Sequence, residues 1–302
     1  MPHLFLRVVL PATLLLLAGC VSGRRPTREL EVILVAGQSN AVGYDAVRSD
    51  LPPDAADQRI LFWWRCGDPP PDAHDSTSGG QWASLQPQPR GEPLQTTNSG
   101  VPRQYGNFAK PEGGFGPEMG LARTLAPQDE RRLAVVKVAF SGAGMRTDWN
   151  PEDPGDGGAC YRALVAETHR ALKAARDAGY YPKLRAMVWV QGESDANPSD
   201  SLNYARALSF MIAALRRDLA SPDLRVLLGV NTRYGDGRNP FLPVIIEAQR
   251  TVAATVPRVA YVDTSGSTII NPSHWDSQGT LSAGERFAAA LLQEESGPSG
   301  IR

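Results

Sequence analysis

The chain predicts an α/β fold with a mostly parallel sheet covered by helices on both faces. Three observations carry that expectation. Short apolar runs alternate with amphipathic stretches from Glu31 onward. The runs are continuous rather than alternating, as parallel strands buried on both faces require. The stretches between them have helical period, with Leu208, Met211, Ile212 and Leu215 at i, i+3, i+4 and i+7.

Taken in order, the predicted strands are Val32–Ala36, Arg59–Trp64, Leu133–Phe140, Arg185–Val190, Arg225–Val230 and Val259–Val262. The predicted helices are Pro117–Ala126, Tyr161–Ala178, Ser201–Asp218, Pro243–Val256 and Thr280–Glu294. Leu164, Leu172 and Ala175 fall roughly in helical register within the second of these. The exception is Cys66 to Gly116, rich in Pro, Gly, Ser and Gln and poor in period. A stretch of that length is expected to be functional or mobile. Trp82, Tyr105 and Phe108 give it anchors, so an ordered loop wall is expected.

The first 20 residues read as a segment outside the fold. Met1 to Arg7 carries positive charge, Val8 to Leu17 is a short apolar core, and Leu17-Ala18-Gly19-Cys20 follows. This is an export signal. Its ending resembles a bacterial lipoprotein box, which implies lipidation of Cys20 and anchoring to the cell envelope outside the cytoplasm. Residues 21–28 then form a tether, 29–294 the domain, and 295–302 a disordered tail.

A formal net charge of −1 gives no case for nucleic acid or for adhesion to anionic membranes. With Cys20 set aside, Cys66 and Cys160 remain and are expected to pair in an oxidising compartment. No Cys-x-x-Cys and no histidine cluster marks a metal site.

Chemistry concentrates at the carboxyl ends of the predicted strands, where open α/β sheets build their sites. Gly37-Gln38-Ser39-Asn40 follows the first strand, Ser141-Gly142-Ala143-Gly144 the third, Gln191-Gly192-Glu193-Ser194-Asp195 the fourth, and Ser273-His274-Trp275-Asp276 the last. They supply a hydroxyl nucleophile, an imidazole base, an acid and oxyanion donors. That inventory suits acyl transfer. The candidate donors are the N–H groups of Ser39 and Gly142 and the side-chain amide of Gln191.

These blocks, with Gly116-Pro117-Glu118, Trp149, Trp189 and Gly284, resemble the SGNH/GDSL hydrolases. The likeness is to their sialate O-acetylesterase and acetylxylan esterase group, over about Leu30 to Ala290. The resemblance implies a flavodoxin-like three-layer α/β/α fold, no cofactor, and removal of acetyl groups from sugars. It makes Ser39 the nucleophile and His274 the base, with Ser39, Gly142 and Gln191 as the oxyanion hole. Many relatives carry an Asp three residues before the His, where this chain has Asn271. Glu193 is the expected acid, as in some acetylxylan esterases of the group. Asn271 as an orienting amide, Asp263 and Asp276 are the alternatives, and Glu193 also has a scaffold reading. Other small-ester hydrolysis, acyl transfer to another acceptor, and a non-catalytic sugar-binding lipoprotein stay open at this point.

Overall fold

The apolar runs form the strands that they predict. The computed structural model describes residues 28–91, 95–96, 102–103, 108–126 and 132–296. The signal segment, Cys20, the tether up to residue 27, Tyr105 and residues 297–302 lie outside the described residues.

The strands are β1 Glu29–Gly37, β2 Leu61–Gly67, β3 Ser76–Thr77, β4 Ala83–Ser84, β5 Gln95–Thr96, β6 Pro102–Arg103, β7 Arg132–Phe140, β8 Tyr181–Val190, β9 Arg225–Gly229 and β10 Val259–Tyr261. The helices are α1 Ser39–Val42, α2 Glu118–Leu125, α3 Ala159–Asp177, α4 Tyr204–Asp218, α5 Leu242–Thr255 and α6 Ser277–Ser296. The main sheet runs β10-β9-β8-β1-β7-β2-β3, with β4 also on β2. Pairs among β10, β9, β8, β1, β7 and β2 are parallel, while β3 and β4 add to β2 antiparallel. β5 and β6 pair separately.

Successive strand residues point to opposite faces, so β1 feeds two cores. Val32, Leu34 and Ala36 pack with α3, α4 and α5 residues such as Leu164, Leu208 and Ile245. Ile33 and Val35 pack on the other face with Met119 of α2 and Phe287 of α6. The chain leaves β1 for β2, returns to β7, then crosses to β8 on the opposite side of β1. That reversal opens a crevice at the carboxyl end of β1, the place where such sheets bind ligands.

The long segment after β2 is an ordered wall among its described residues. Trp82 packs edge-on to Trp63 at 5.7 Å and donates from Nε1 to the Ala171 carbonyl at 3.2 Å. Phe108 is fully buried, and the N–H of Ala109 donates to the Tyr44 carbonyl at 2.8 Å.

Two expectations are corrected. Cys66 and Cys160 are both free and buried. Cys66 sits in the core beside α2 and α6, Cys160 in the core beside α3, and the sheet lies between them. Burial pushes the Cys66 thiol up to about 12, so it behaves as an inert apolar group. The tail also begins later than expected. α6 continues to Ser296, and Glu295 is held by Arg185 at 2.7 Å, whose guanidinium also meets Glu31 at 2.9 Å.

Candidate active site

Ser39 opens α1 directly beyond the end of β1. The turn needs glycine at position 37, because a Cβ there would stand 2.0 Å from the Val190 carbonyl oxygen at a φ of 137°. The N–H of Gln38 donates to that same carbonyl at 2.9 Å, which fixes the turn against β8. As the first helical residue, Ser39 has an N–H with no intrahelical partner. That leaves it available to an incoming oxyanion.

Asn40 ties the Ser39 turn to the His274 loop. Its Oδ1 accepts from the N–H of Trp275 at 3.0 Å, and its Nδ2 donates to the Ser273 carbonyl at 3.1 Å. The residue after Ser39 thus holds the main chain on both sides of His274. Asn231, after β9, adds a second amide to the Ser273 carbonyl at 3.2 Å.

The acid beside His274 is Asp45, a residue the sequence reading missed. Its Oδ2 lies 2.8 Å from Nδ1 of His274. Tyr44 stacks on the imidazole, with ring centroids 4.5 Å apart at 27°. Burial alone would raise the Asp45 pKa. The hydrogen bonds from His274 and Asn271, and the charges of His274 and Lys110, overcome that and hold it below the ordinary carboxylate value.

Of the four residues expected around the base, none bonds the imidazole ring, and only Asn271 stays beside it, bonded to the His274 main chain and to Asp45. Glu193 is buried, and its Oε1 accepts from Nδ2 of Asn40 at 2.8 Å and the N–H of Asn231 at 3.0 Å. It braces the two asparagines that hold the Ser273 carbonyl and does not contact the ring. Burial raises its pKa against the opposing effect of those hydrogen bonds. Asn271 accepts the N–H groups of Ser273 and His274 on Oδ1, each at 2.9 Å, and donates to Asp45 at 2.8 Å. Asp263 is exposed and caps the turn at Ser265. Asp276 binds the Thr268 hydroxyl and the N–H of Gly279 at the start of α6.

On the β7 side, Gly142 is exposed with a φ of 75°, a conformation that favours glycine. Its neighbours hold the loop in shape. Asp148 accepts the N–H of Gly144 at 2.8 Å, and both carboxylate oxygens of Asp195 lie 3.1 Å from the N–H of Met145.

Gln191 belongs to that bracing, and its amide is not turned toward Ser39 as an oxyanion donor would be expected to be. It is fully buried, and Nε2 donates to the Ala143 carbonyl and to Asp195. An amide has two N–H donors, and both are engaged. Its Oε1 takes the Tyr204 hydroxyl at 2.8 Å. The structure thus gathers Ser39, His274, Asp45 and the Gly142 loop along one sheet edge, with Gln191 and Glu193 beneath them.

Asp45 left one signal in the sequence. It follows Ser39 by six residues, in Gly43-Tyr44-Asp45, while the position three before His274 holds an amide.

No curated protein matches the chain. Among solved structures, a protein from Arabidopsis thaliana is similar with a TM-score of 0.64 at 19% identity, covering 87% of this chain and 98% of that one. NanS is similar with a TM-score of 0.58 at 21% identity, covering 89% and 98%. A carbohydrate acetylesterase from Xanthomonas citri has a TM-score of 0.58 at 16% identity, covering 90% of this chain and 57% of its own. These likenesses concern the fold, a three-layer α/β/α sandwich. Residues 29–293 match the carbohydrate esterase family described as sialic acid-specific acetylesterase, and the chain belongs to that family.

Proposed function

We propose that the protein is a serine-dependent carbohydrate O-acetylesterase that works through an acyl-enzyme. Ser39 Oγ attacks the acetyl carbonyl while Nε2 of His274 takes its proton. Asp45 holds Nδ1 and offsets the imidazolium charge that develops. The N–H groups of Ser39 and Gly142 stabilise the oxyanion. The tetrahedral intermediate then expels the sugar alkoxide, which receives the proton from His274. Water, deprotonated by the same base, attacks the acetyl-Ser39 ester; the second tetrahedral intermediate breaks its bond to Ser39 Oγ, which takes the proton back from His274, and acetic acid leaves as acetate.

The observation that supports this reading most is that Asp45 meets Nδ1 of His274 at 2.8 Å while Asn40, next to Ser39, bonds the main chain on either side of that histidine, to Ser273 at 3.1 Å and Trp275 at 3.0 Å. A carboxylate at Asp45, where Asn271 offers only an amide, supports the catalytic reading over a non-catalytic sugar-binding fold. The test is hydrolysis of p-nitrophenyl acetate by the wild type and by Ser39→Ala. Loss of nearly all turnover with an unchanged fold is expected. Turnover retained near wild type rejects Ser39 as nucleophile.

Export and tethering of the enzyme at Cys20 are part of the same proposal, supported by the residue pattern of 1–20. Acyl chains anchor by burying CH₂ groups at about 0.8 kcal/mol each. A fatty-acid analogue should label the wild type and not Cys20→Ala; an unlabelled wild type rejects the anchor.

A further inference from the structure

Between the loop after β7 and the first half of α4 lies a cavity of about 430 Å³. That volume falls within the usual range for small-ligand sites. Trp149, Asp195 and Tyr204 line it and are buried. Phe210 also lines it and stays 40% exposed, although Leu208 and Met211 on the same helix are fully buried.

The cavity wall is bonded to the catalytic turn. Met145, three residues beyond Gly142, lines the cavity, and its N–H is held by Asp195. Next to Asp195, the N–H of Ser194 donates to Oε1 of Gln38 at 3.1 Å, and Gln38 precedes Ser39. The cavity therefore opens beside the oxyanion loop, on the face of the sheet away from α2 and α6.

We propose that this cavity is a glycan subsite that holds a neutral sugar unit of the acetylated substrate, with Phe210 as its stacking platform. The inference rests on the esterase reading above. An exposed aromatic face suits the apolar C–H face of a pyranose, and a flat ring binds at little conformational cost. Ser199, Asn150 and Asn203 line the same space and offer donors and acceptors that match neutral hydroxyls.

Charge decides against an acidic sugar. Two guanidiniums, Arg146 and Arg206, face three carboxylates, Glu152, Asp195 and Asp200. Arg146 is already held by Asp200 at 2.8 Å. Even with Asp195 protonated, the two signs only cancel. A sugar carboxylate entering here would lose water without gaining a net positive wall. The pocket thus departs from the sialic acid preference in the family's description.

The test compares wild type and Phe210→Ala on three esters: p-nitrophenyl acetate, acetylated xylotriose and an O-acetylated sialic acid. Phe210→Ala should raise KM for acetylated xylotriose at least fivefold, with kcat within twofold and p-nitrophenyl acetate kinetics unchanged. The wild type should favour the neutral glycan over the sialic acid in kcat/KM. A binding arm works without turnover: xylotriose and cellotriose are titrated calorimetrically into Ser39→Ala, with and without Phe210→Ala. Weaker binding in the double variant supports the subsite. An unchanged KM, equal binding in the two proteins, no binding of either trisaccharide, or a preference for the sialic acid overturns it. A wild type inactive on all three esters rejects the esterase reading instead, and the titration still decides whether the cavity takes a neutral glycan.

Discussion

Asn271 donates from Nδ2 to Oδ2 of Asp45 at 2.8 Å, and the same oxygen receives Nδ1 of His274 at 2.8 Å. The carboxylate beside His274 thus comes from the turn after Ser39, and the amide three residues before His274 supports it. Asp45→Asn should lower turnover by up to about 10⁴-fold with a small change in KM, because the imidazole loses its anionic partner. Asn271→Asp should also lower turnover, since a second carboxylate would crowd Asp45. Steady-state kinetics on p-nitrophenyl acetate checks both. Turnover of Asp45→Asn within tenfold of wild type would show that His274 does not depend on this acid.

Gln191 offers a sharper contrast. Its amide braces the Ala143 carbonyl and Asp195 beneath the Gly142 loop. Gln191→Ala should therefore destabilise the protein by about 1–3 kcal/mol, because buried polar partners lose their bonds. Urea unfolding measures this beside turnover. A loss of kcat with unchanged stability would place the amide in the oxyanion hole after all.

The fold was legible because parallel strands buried on both faces leave continuous apolar runs, and every predicted strand overlaps an observed one. The blocks of the site were legible because they follow those runs. What was not legible is direction. Gln191 and Glu193 stand at the right edge, but nothing in a residue string says that both side chains turn inward to brace asparagines and a carboxylate. The disulfide failed for a related reason: Cys66 and Cys160 are both buried as expected of thiols, yet on opposite faces of one sheet. Asp45 was hidden because its loop is short and irregular, and its place against His274 depends on Asn271, more than two hundred residues later.

Gly116-Pro117-Glu118 acquires a role through Lys137. Both Glu118 and Lys137 are fully buried, and Nζ donates to Glu118 Oε1 at 3.0 Å, to Gln88 Oε1 at 2.6 Å and to the Val42 carbonyl at 2.7 Å. Val42 ends the helix that Ser39 begins, so this cation secures that helix from below. Lys137→Met alone should cost about 3–5 kcal/mol, since Glu118 is left buried without its cation. Lys137→Met with Glu118→Gln should cost less than the two single changes added together. Denaturant unfolding of the three variants checks this, and strict additivity would show that the pair is not coupled.

Asp195 should give the stability curve an unusual slope. Burial is the main reason its carboxyl is pushed up to about 6, against the hydrogen bonds from Gln191 and Met145. An unfolded Asp titrates near 3.9. Between those values the native state binds more protons than the unfolded state, so this group's contribution falls as pH rises. It is fully present below about pH 4 and lost above about pH 6, on the order of 2–3 kcal/mol. Asp45 acts in the opposite sense, because its depressed pKa contributes stability that is lost as pH falls through its folded value. The two are separated by comparing wild type with Asp195→Asn in urea at pH 4.5, 5.5 and 7. The variant is expected to pay a constant cost from its rearranged bonds to Gln191 while losing the downward slope between pH 4.5 and 7. Parallel curves for the two proteins would show that Asp195 is ionised in the folded state across the whole range.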